Sequence, residues 1–490
     1  MKNQKRKTAL LALPLVALLL AGCGGQSNRG GSTGGIKIKF WHTFGQTVVD
    51  ALKAKVATFK TAVKENDGVD VEIELVYQGA YDDVAKKISD GYSVGNKPTI
   101  AVAYPDNVAD YLEIGKSAGE EFVVNLEKYI NDDKVGFGKE AWLGDRFGAD
   151  DFVEEFYSEG SQYSVAGTYS LPYMKSTEIM FYNYDIVAAA MRYYDATITG
   201  ETAIKNFMDN LTWDKLIEFA QSIKDHAADL HIDRNLAYPI AYDSDANLFI
   251  TQMFQHRYPY SSIDADGKGV IEFGKEANLP NTISLLEDLW DVRHNGLITT
   301  KGLEGTYSSD FFTNERCVFS IGSSGGAGYN FPQAEVFQLG VAKVPYSNNN
   351  PLYVSQGPTL ALFNDNGLSS ELNEKTQLYA WKFIKYITNG QNNAELCVNG
   401  SEGYVPVRYS AYETSFFQSF MEEGEKYAQC YKVVTEDVND AGYLVTPAFK
   451  GSAALRDECE SLLAASLNAA NKSAIPGLIQ TAIDNALLKM

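Results

Sequence analysis

From residue 36 onward the chain alternates and then winds. Residues 36–41 (IKIKFW) put an apolar side chain at every second position with lysines between, the period of a strand with one face in a core. Val48, Leu52, Val56, Phe59 and Val63 then recur three and four apart, the period of a helix, and Asn66-Asp67-Gly68 is its stop. Residues 69–76 (VDVEIELV) alternate again as a second strand, residues 81–92 carry a second helix, and Lys97-Pro98 opens a third strand over 99–104. Strand, helix, strand, helix, strand in such short compass predicts a parallel sheet with helices on its faces. Ligands sit at the carboxyl ends of such strands, and the loops there begin at His42, Gln78 and Pro105.

A second α/β pattern begins over residues 171–185, with a strand ending at Tyr182-Asn183. Residues 214–226 and 280–294 have helical spacing, residues 317–321 form a buried strand running into the glycine-rich 322–328, and 338–344 and 353–363 are further strands. Helical patterns follow at 375–388 and 391–398, near Tyr412 and over 453–489.

The amino-terminal stretch has another character. Lys2, Lys5, Arg6 and Lys7 precede an apolar run over 8–21 that is too short to be a stable membrane span. It closes on Leu20-Ala21-Gly22-Cys23, which resembles the lipobox of bacterial lipoproteins. That resemblance implies a signal peptide over 1–22, cleavage before Cys23 and lipidation of its thiol, the acyl chains adding about 0.8 kcal/mol per buried methylene. Residues 24–35 (GGQSNRGGSTGG) hold no apolar side chain and predict a tether with a reach of about 20 Å.

Removing the leader takes away four positive charges and moves the formal charge from −21 to −25. A body so acidic repels nucleic acid and anionic lipid headgroups, so neither is an expected partner. Cys317, Cys397, Cys430 and Cys459 contain no C-x-x-C spacing, which argues against a zinc ribbon or thioredoxin chemistry and suits buried small hydrophobes. Tyrosine is abundant at 30, and its flat apolar face with a hydroxyl suits polar ligands with apolar faces as well as ordinary packing.

Five stretches together carry a further resemblance: Phe40-Trp41-His42-Thr43, Tyr77-Gln78-Gly79-Ala80-Tyr81, Leu171-Pro172 through Tyr182-Asn183, Phe312-Thr313-Asn314 through Gly322-Ser323, and Gly403-Tyr404-Val405-Pro406. In order and spacing the chain resembles the extracellular solute-binding lipoproteins of ABC importers, in the carbohydrate branch with the maltose-type and glycerol-3-phosphate-type proteins. The resemblance implies an α/β two-lobe clamp, each lobe a mainly parallel sheet flanked by helices. Lobe 1 would take residues 36–164 and 353–398 and lobe 2 residues 165–352 and 399–490, with crossings near 163–169, 351–355 and 399–402 acting as hinges. It also implies a carbohydrate ligand, ABC permease subunits as partners, a monomer held to the outer face of the membrane by its lipid alone, and no cofactor or metal. Carried over position by position, the cleft residues are His42, Thr43, Tyr81, Asp106, Ser176, Ser323, Ser324, Gly325, Gly357 and Tyr404. Asp106 stands where sugar-binding relatives place a carboxylate for ring hydroxyls. Trp41, Tyr77 and Tyr182, at strand ends, are expected to pack in the core. Relatives that take a phosphorylated glycerol have an arginine where this chain reads Thr446-Pro447-Ala448-Phe449-Lys450-Gly451, and its absence favours a neutral sugar or oligosaccharide over a phosphoester.

Catalytic alternatives are weighed on spacing. Gly322-Ser323-Ser324-Gly325-Gly326 fits G-x-S-x-G, but all five histidines precede it, whereas an α/β-hydrolase needs its histidine after the serine. A carboxylate pair of a lipid-anchored glycoside-degrading enzyme stays open, as does a glycan-binding adhesin. Asp264-Ala265-Asp266-Gly267 begins like a calcium loop, yet Lys268 and Lys275 fall where oxygen ligands belong, so a hairpin turn is the better reading.

Overall fold

The lysine-spaced alternation at the head of the body becomes a strand whose Ile36, Ile38 and Phe40 are buried while Lys37 and Lys39 face water. The computed structural model describes residues 35–334, 336–401, 403–424, 427–437 and 442–490. The leader, Cys23, the tether up to residue 34 and residue 402 of an expected crossing lie outside the described residues. Residues 36–490 make up one compact unit.

Its strands in chain order are β1 (Ile36–His42), β2 (Val71–Tyr77), β3 (Ile100–Ala103), β4 (Leu171–Pro172), β5 (Glu178–Asn183), β6 (Ile240–Tyr242) and β7 (Ser261–Ile263). They continue with β8 (Gly269–Ile271), β9 (Ile298–Thr300), β10 (Phe319–Ser323), β11 (Leu339–Lys343), β12 (Tyr353–Val354), β13 (Thr359–Leu362) and β14 (Tyr443–Leu444). One five-stranded sheet has the order β2-β1-β3-β13-β4 and the other β11-β5-β10-β6-β9. In each sheet four strands run one way and a single strand, β13 or β5, runs against them, which is the mainly parallel α/β architecture expected.

Helices cover both faces of the first sheet. Gln46–Asp67 and Ser370–Ile387 pack on one side, where Phe383 meets Phe40 at 6.3 Å and Phe59 at 5.1 Å. Trp41 points the opposite way, as the period of a strand requires, and joins Val84, Ile88, Val108 and Tyr111 under the helices Tyr81–Tyr92 and Pro105–Tyr111. In the second sheet β5 is buried at all six residues, and Phe319 meets Phe219 of Trp213–Asp225 at 6.0 Å. The helix Asp245–Gln255 is buried almost all round, with Ser452–Leu467 packed against it. Among the described residues no helix is long and apolar enough to cross a membrane.

The backbone passes between the sheets side by side. Residues 173–177 join β4 to β5 and bridge to Gln356 through Ser176 and to Val405 through Lys175. This passage falls later than the expected crossing at 163–169. The stretch 353–363, read as one strand, splits into β12 and β13 in different sheets, because Pro358 has no N–H to continue a ladder and Gly357 turns at φ +91°. A Cβ on Gly357 would lie 2.4 Å from the Met174 carbonyl, so the crossing strands touch only because this residue is glycine. The helix read over 453–489 likewise divides into Ser452–Leu467 and Ile475–Leu487, the second carrying a proline in its first turn. Trp41 and Tyr182 are core residues as expected, but Tyr77 is 65% exposed, since it ends the outermost strand of its sheet and the His42 ring meets it from one side, 6.0 Å away. Residues 264–267 turn between β7 and β8 as a hairpin, with Asp264 Oδ1 accepting from the N–H groups of Asp266 and Lys268. All four described cysteines are buried and free.

Candidate functional site

Between the carboxyl ends of the strands lie two cavities that share one side chain, Tyr81. The deeper one, of about 260 Å³, takes Tyr81 and Asp82 from the start of one helix and Tyr104 to Asn107 from the start of the next. Ser244 and Asn247 come from the second half, Lys175 and residues 354–356 from the crossings, and Arg456 and Asp457 from Ser452–Leu467. The wider one, of about 770 Å³, is bordered by Thr43 to Val48, Gly325, Gly326, Gly328 and Tyr329, residues 398–401 and the rings of Tyr404, Phe420, Tyr427 and Tyr431.

Of the residues named from sequence, Tyr81 and Asp106 line the deep cavity, and Thr43, Tyr81, Gly325 and Tyr404 line the wide one. The Tyr81 ring sits 4.4 Å from that of Tyr104, and its hydroxyl hydrogen-bonds to Thr43 and Tyr404. Burial raises the phenols of Tyr81, Tyr104 and Tyr404, keeping them neutral donors. Gly325 is needed as glycine, because a Cβ there would stand 2.9 Å from the Tyr404 ring.

The other named residues stand behind the walls. His42 is buried between Phe44, with which it stacks at 5.6 Å, and Tyr77, while its Nδ1 accepts from the Phe44 N–H and burial lowers its imidazole below the usual value. Ser176 accepts from Ser323 Oγ at 3.2 Å, and Ser323 in turn accepts from the Gly325 N–H. Ser324 is fully buried with its Oγ facing the Thr177 N–H, and among the described residues no histidine hydrogen-bonds to it. Gly357 offers its carbonyl to Lys175 Nζ at 3.2 Å and lines neither cavity.

Several lining residues escaped the sequence reading, Asp82, Lys175, Asn247 and Asp457 among them, and Arg456 is the one that joins the two halves. Its Nε donates to Asp106 at 3.2 Å and its Nη1 to Asn247 Oδ1 at 2.9 Å, so one guanidinium ties a first-sheet helix to a second-sheet helix. Burial pulls Arg456 toward neutrality, but Asp106 holds it above its ordinary value. Asp106 also accepts from Ser452 Oγ at 2.7 Å, so each of its carboxylate oxygens accepts one hydrogen bond. Lys175 pairs with Glu159 at 2.6 Å, both nearly out of solvent. Behind Asn247, Glu178 accepts from Asn247 Nδ2 at 3.1 Å and from the Tyr242 hydroxyl, and burial pushes its carboxyl up to about 7. Among the described residues no group of three metal-ligating side chains occurs.

This is a hydrogen-bonding chamber with aromatic walls, assembled from both sheets. A family described as bacterial extracellular solute-binding protein matches residues 54–422. Among solved structures, the cyclic alpha-maltosyl-1,6-maltose binding protein from Arthrobacter globiformis is similar with a TM-score of 0.64 and 18% identity, over 93% of this chain and 99% of that one. UgpB from Mycobacterium tuberculosis, in complex with glycerophosphocholine, has a TM-score of 0.61 and 16% identity over 93% and 100%. Maltose-bound MalE3 of T. maritima has a TM-score of 0.61 and 15% identity over 91% and 99%. No curated protein matches the chain.

Proposed function

The chain belongs to the bacterial extracellular solute-binding proteins, and from that we propose that it captures a sugar or oligosaccharide between its two sheets and delivers it to an ABC permease. The observation that carries this reading is the deep cavity, whose wall takes Asp106 and Tyr81 from the first sheet's loops and Asn247 from the second sheet's side, with the crossing strands at its edge. A solute touching both halves favours the form that brings them together, and only such two-sided contact shifts the equilibrium. The flanking crossings at 173–177 and 355–358 are the places where a few torsions would open it. The proteins of similar fold include binders of maltose and of a cyclic maltosyl-maltose, which supports a carbohydrate ligand. Arg456 does not bring back a phosphoester, because its charge is already balanced by Asp106 and the lining carries two further carboxylates, Asp82 and Asp457, that form no ion pair among the described residues. The proposal extends to the leader: a lipid on Cys23 would hold a monomer near its permease on the outer membrane face, with catalysis, cofactor and nucleic acid absent from its work.

The test is small-angle scattering of the purified protein with a panel of mono- and oligosaccharides chosen by thermal shift. The radius of gyration should fall when a stabilising sugar is added, and the sugar should be recovered intact. Stabilisation without compaction would favour an adhesin, and new reducing ends would favour a glycoside-degrading enzyme.

A further inference from the structure

Deep in the cleft, carboxylates outnumber cations on the wall. Lys175 gives Nζ to Glu159 and to the Gly357 carbonyl, and Arg456 gives Nε and Nη1 to Asp106 and Asn247. Asn247 passes its own amide on to Glu178. The lining holds four carboxylates, Asp82, Asp106, Glu159 and Asp457, against two cations, and each cation is already paired with one carboxylate, Lys175 with Glu159 and Arg456 with Asp106. Asp82 and Asp457 are left at the mouth without a countercharge.

A second observation lies further in. Gln356 Oε1 is wholly out of solvent in the crossing strand that forms the wall, and it accepts no hydrogen bond; the neighbouring Ser355 Oγ is also without a partner. A buried acceptor left empty forfeits its hydration without a replacement bond, and a donor brought by the ligand would satisfy it. The Asp457 carboxyl is pushed up to about 6, first by partial withdrawal from water and then by the like charges of Asp82 and Glu460, with Arg456 opposing. An arriving cation would reverse that push.

Ligand chemistries separate on this wall. A phosphoester or uronate adds negative charge to a wall whose carboxylates already outnumber its cations. A neutral hydroxyl brings one donor. A protonated amine brings three donors and the missing charge. We infer that the deep cavity takes an amine-bearing sugar, its ammonium group held by Asp82 and Asp457 and its hydroxyls turned to Gln356 and Ser355. This rests on the solute-capture reading and narrows its ligand class.

The experiment is calorimetric titration of the purified protein at neutral pH with glucosamine, glucose, N-acetylglucosamine and glucuronate, and with the β-1,4-linked dimers of glucosamine and of glucose. The amine should bind at least about tenfold tighter than the neutral sugar of the same length, the gain expected of one charge-assisted hydrogen bond. Acetylation should abolish the gain and glucuronate should bind weakest. In Asp457→Asn and Asp82→Asn, both at exposed positions where folding is safe, the amine-to-neutral ratio should collapse toward one. Equal affinity for amine and neutral sugar, or a ratio unmoved by both substitutions, overturns the inference while leaving sugar capture intact. Binding of none of these compounds, with no compaction on any sugar, overturns capture and this inference with it.

Discussion

Glu178 is a carboxyl group enclosed at the back of the site, facing Tyr242, Asn247, Asp243 and, beyond Asn247, Arg456. Its folded-state pKa of about 7 lies above the ordinary 4.5, so the folded chain holds this proton more tightly than the unfolded one. The stability it contributes is complete below pH 4.5 and is lost as pH rises through 7, with a steepest slope of about 1.4 kcal/mol per pH unit. Glu178→Gln keeps the shape and removes the titration. The melting temperature of the wild type relative to this variant should therefore fall between pH 4.5 and 7, and parallel curves would place the ionised form in the fold. At this scale the site was partly legible. Thr43, Tyr81 and Asp106 follow strands whose period announces them, and the strand-end rule points to their loops. Arg456 was not, because it pairs with a residue 350 positions away and its own surroundings read only as a helix. Sequence directed attention to 446–451 for an arginine, and the one that enters the cleft stands just beyond, inside Ser452–Leu467.

The long helices were legible as elements because their apolar stripes repeat over several turns, as in Gln46–Asp67. The three-residue strands β6 and β9 were not, being too short to show a period, although they complete the second sheet. Also invisible was what fixes Ser370–Ile387 to the irregular stretch before β4. Lys385, fully buried, reaches Glu140 at 2.9 Å, Asp145 at 3.2 Å and the Gly136 carbonyl at 3.0 Å, while Lys382 bonds Asp67 and Glu140. Removing one member of such a network strands the others away from water. Lys385→Met should cost about 3–5 kcal/mol, read as a lowered urea midpoint with unchanged slope. Lys37→Met, whose partner Glu72 stands in solvent, should leave the midpoint where it is.

Across the whole molecule the two sheets are interleaved in sequence, since β4 and β13 return to the first sheet from either side of the second sheet's strands. A site between them is thus built from distant segments and sits within the field of the entire chain, whose formal charge is −21. That field acts on a cationic ligand before contact, whereas Asp82 and Asp457 act after it, and salt separates the two. The Debye length is about 30 Å at 0.01 M salt and about 8 Å at 0.15 M, so raising salt removes steering from afar and leaves close contacts largely alone. In stopped-flow fluorescence the association rate of the glucosamine dimer should fall several-fold over that range while that of the glucose dimer stays level. Asp457→Asn, which removes one charge among many, should instead speed dissociation of the amine with a small change in its association rate. Were salt to act on dissociation alone, the acidity of the body would have no part in capture, and the selectivity would lie wholly in the two carboxylates at the mouth of the cavity.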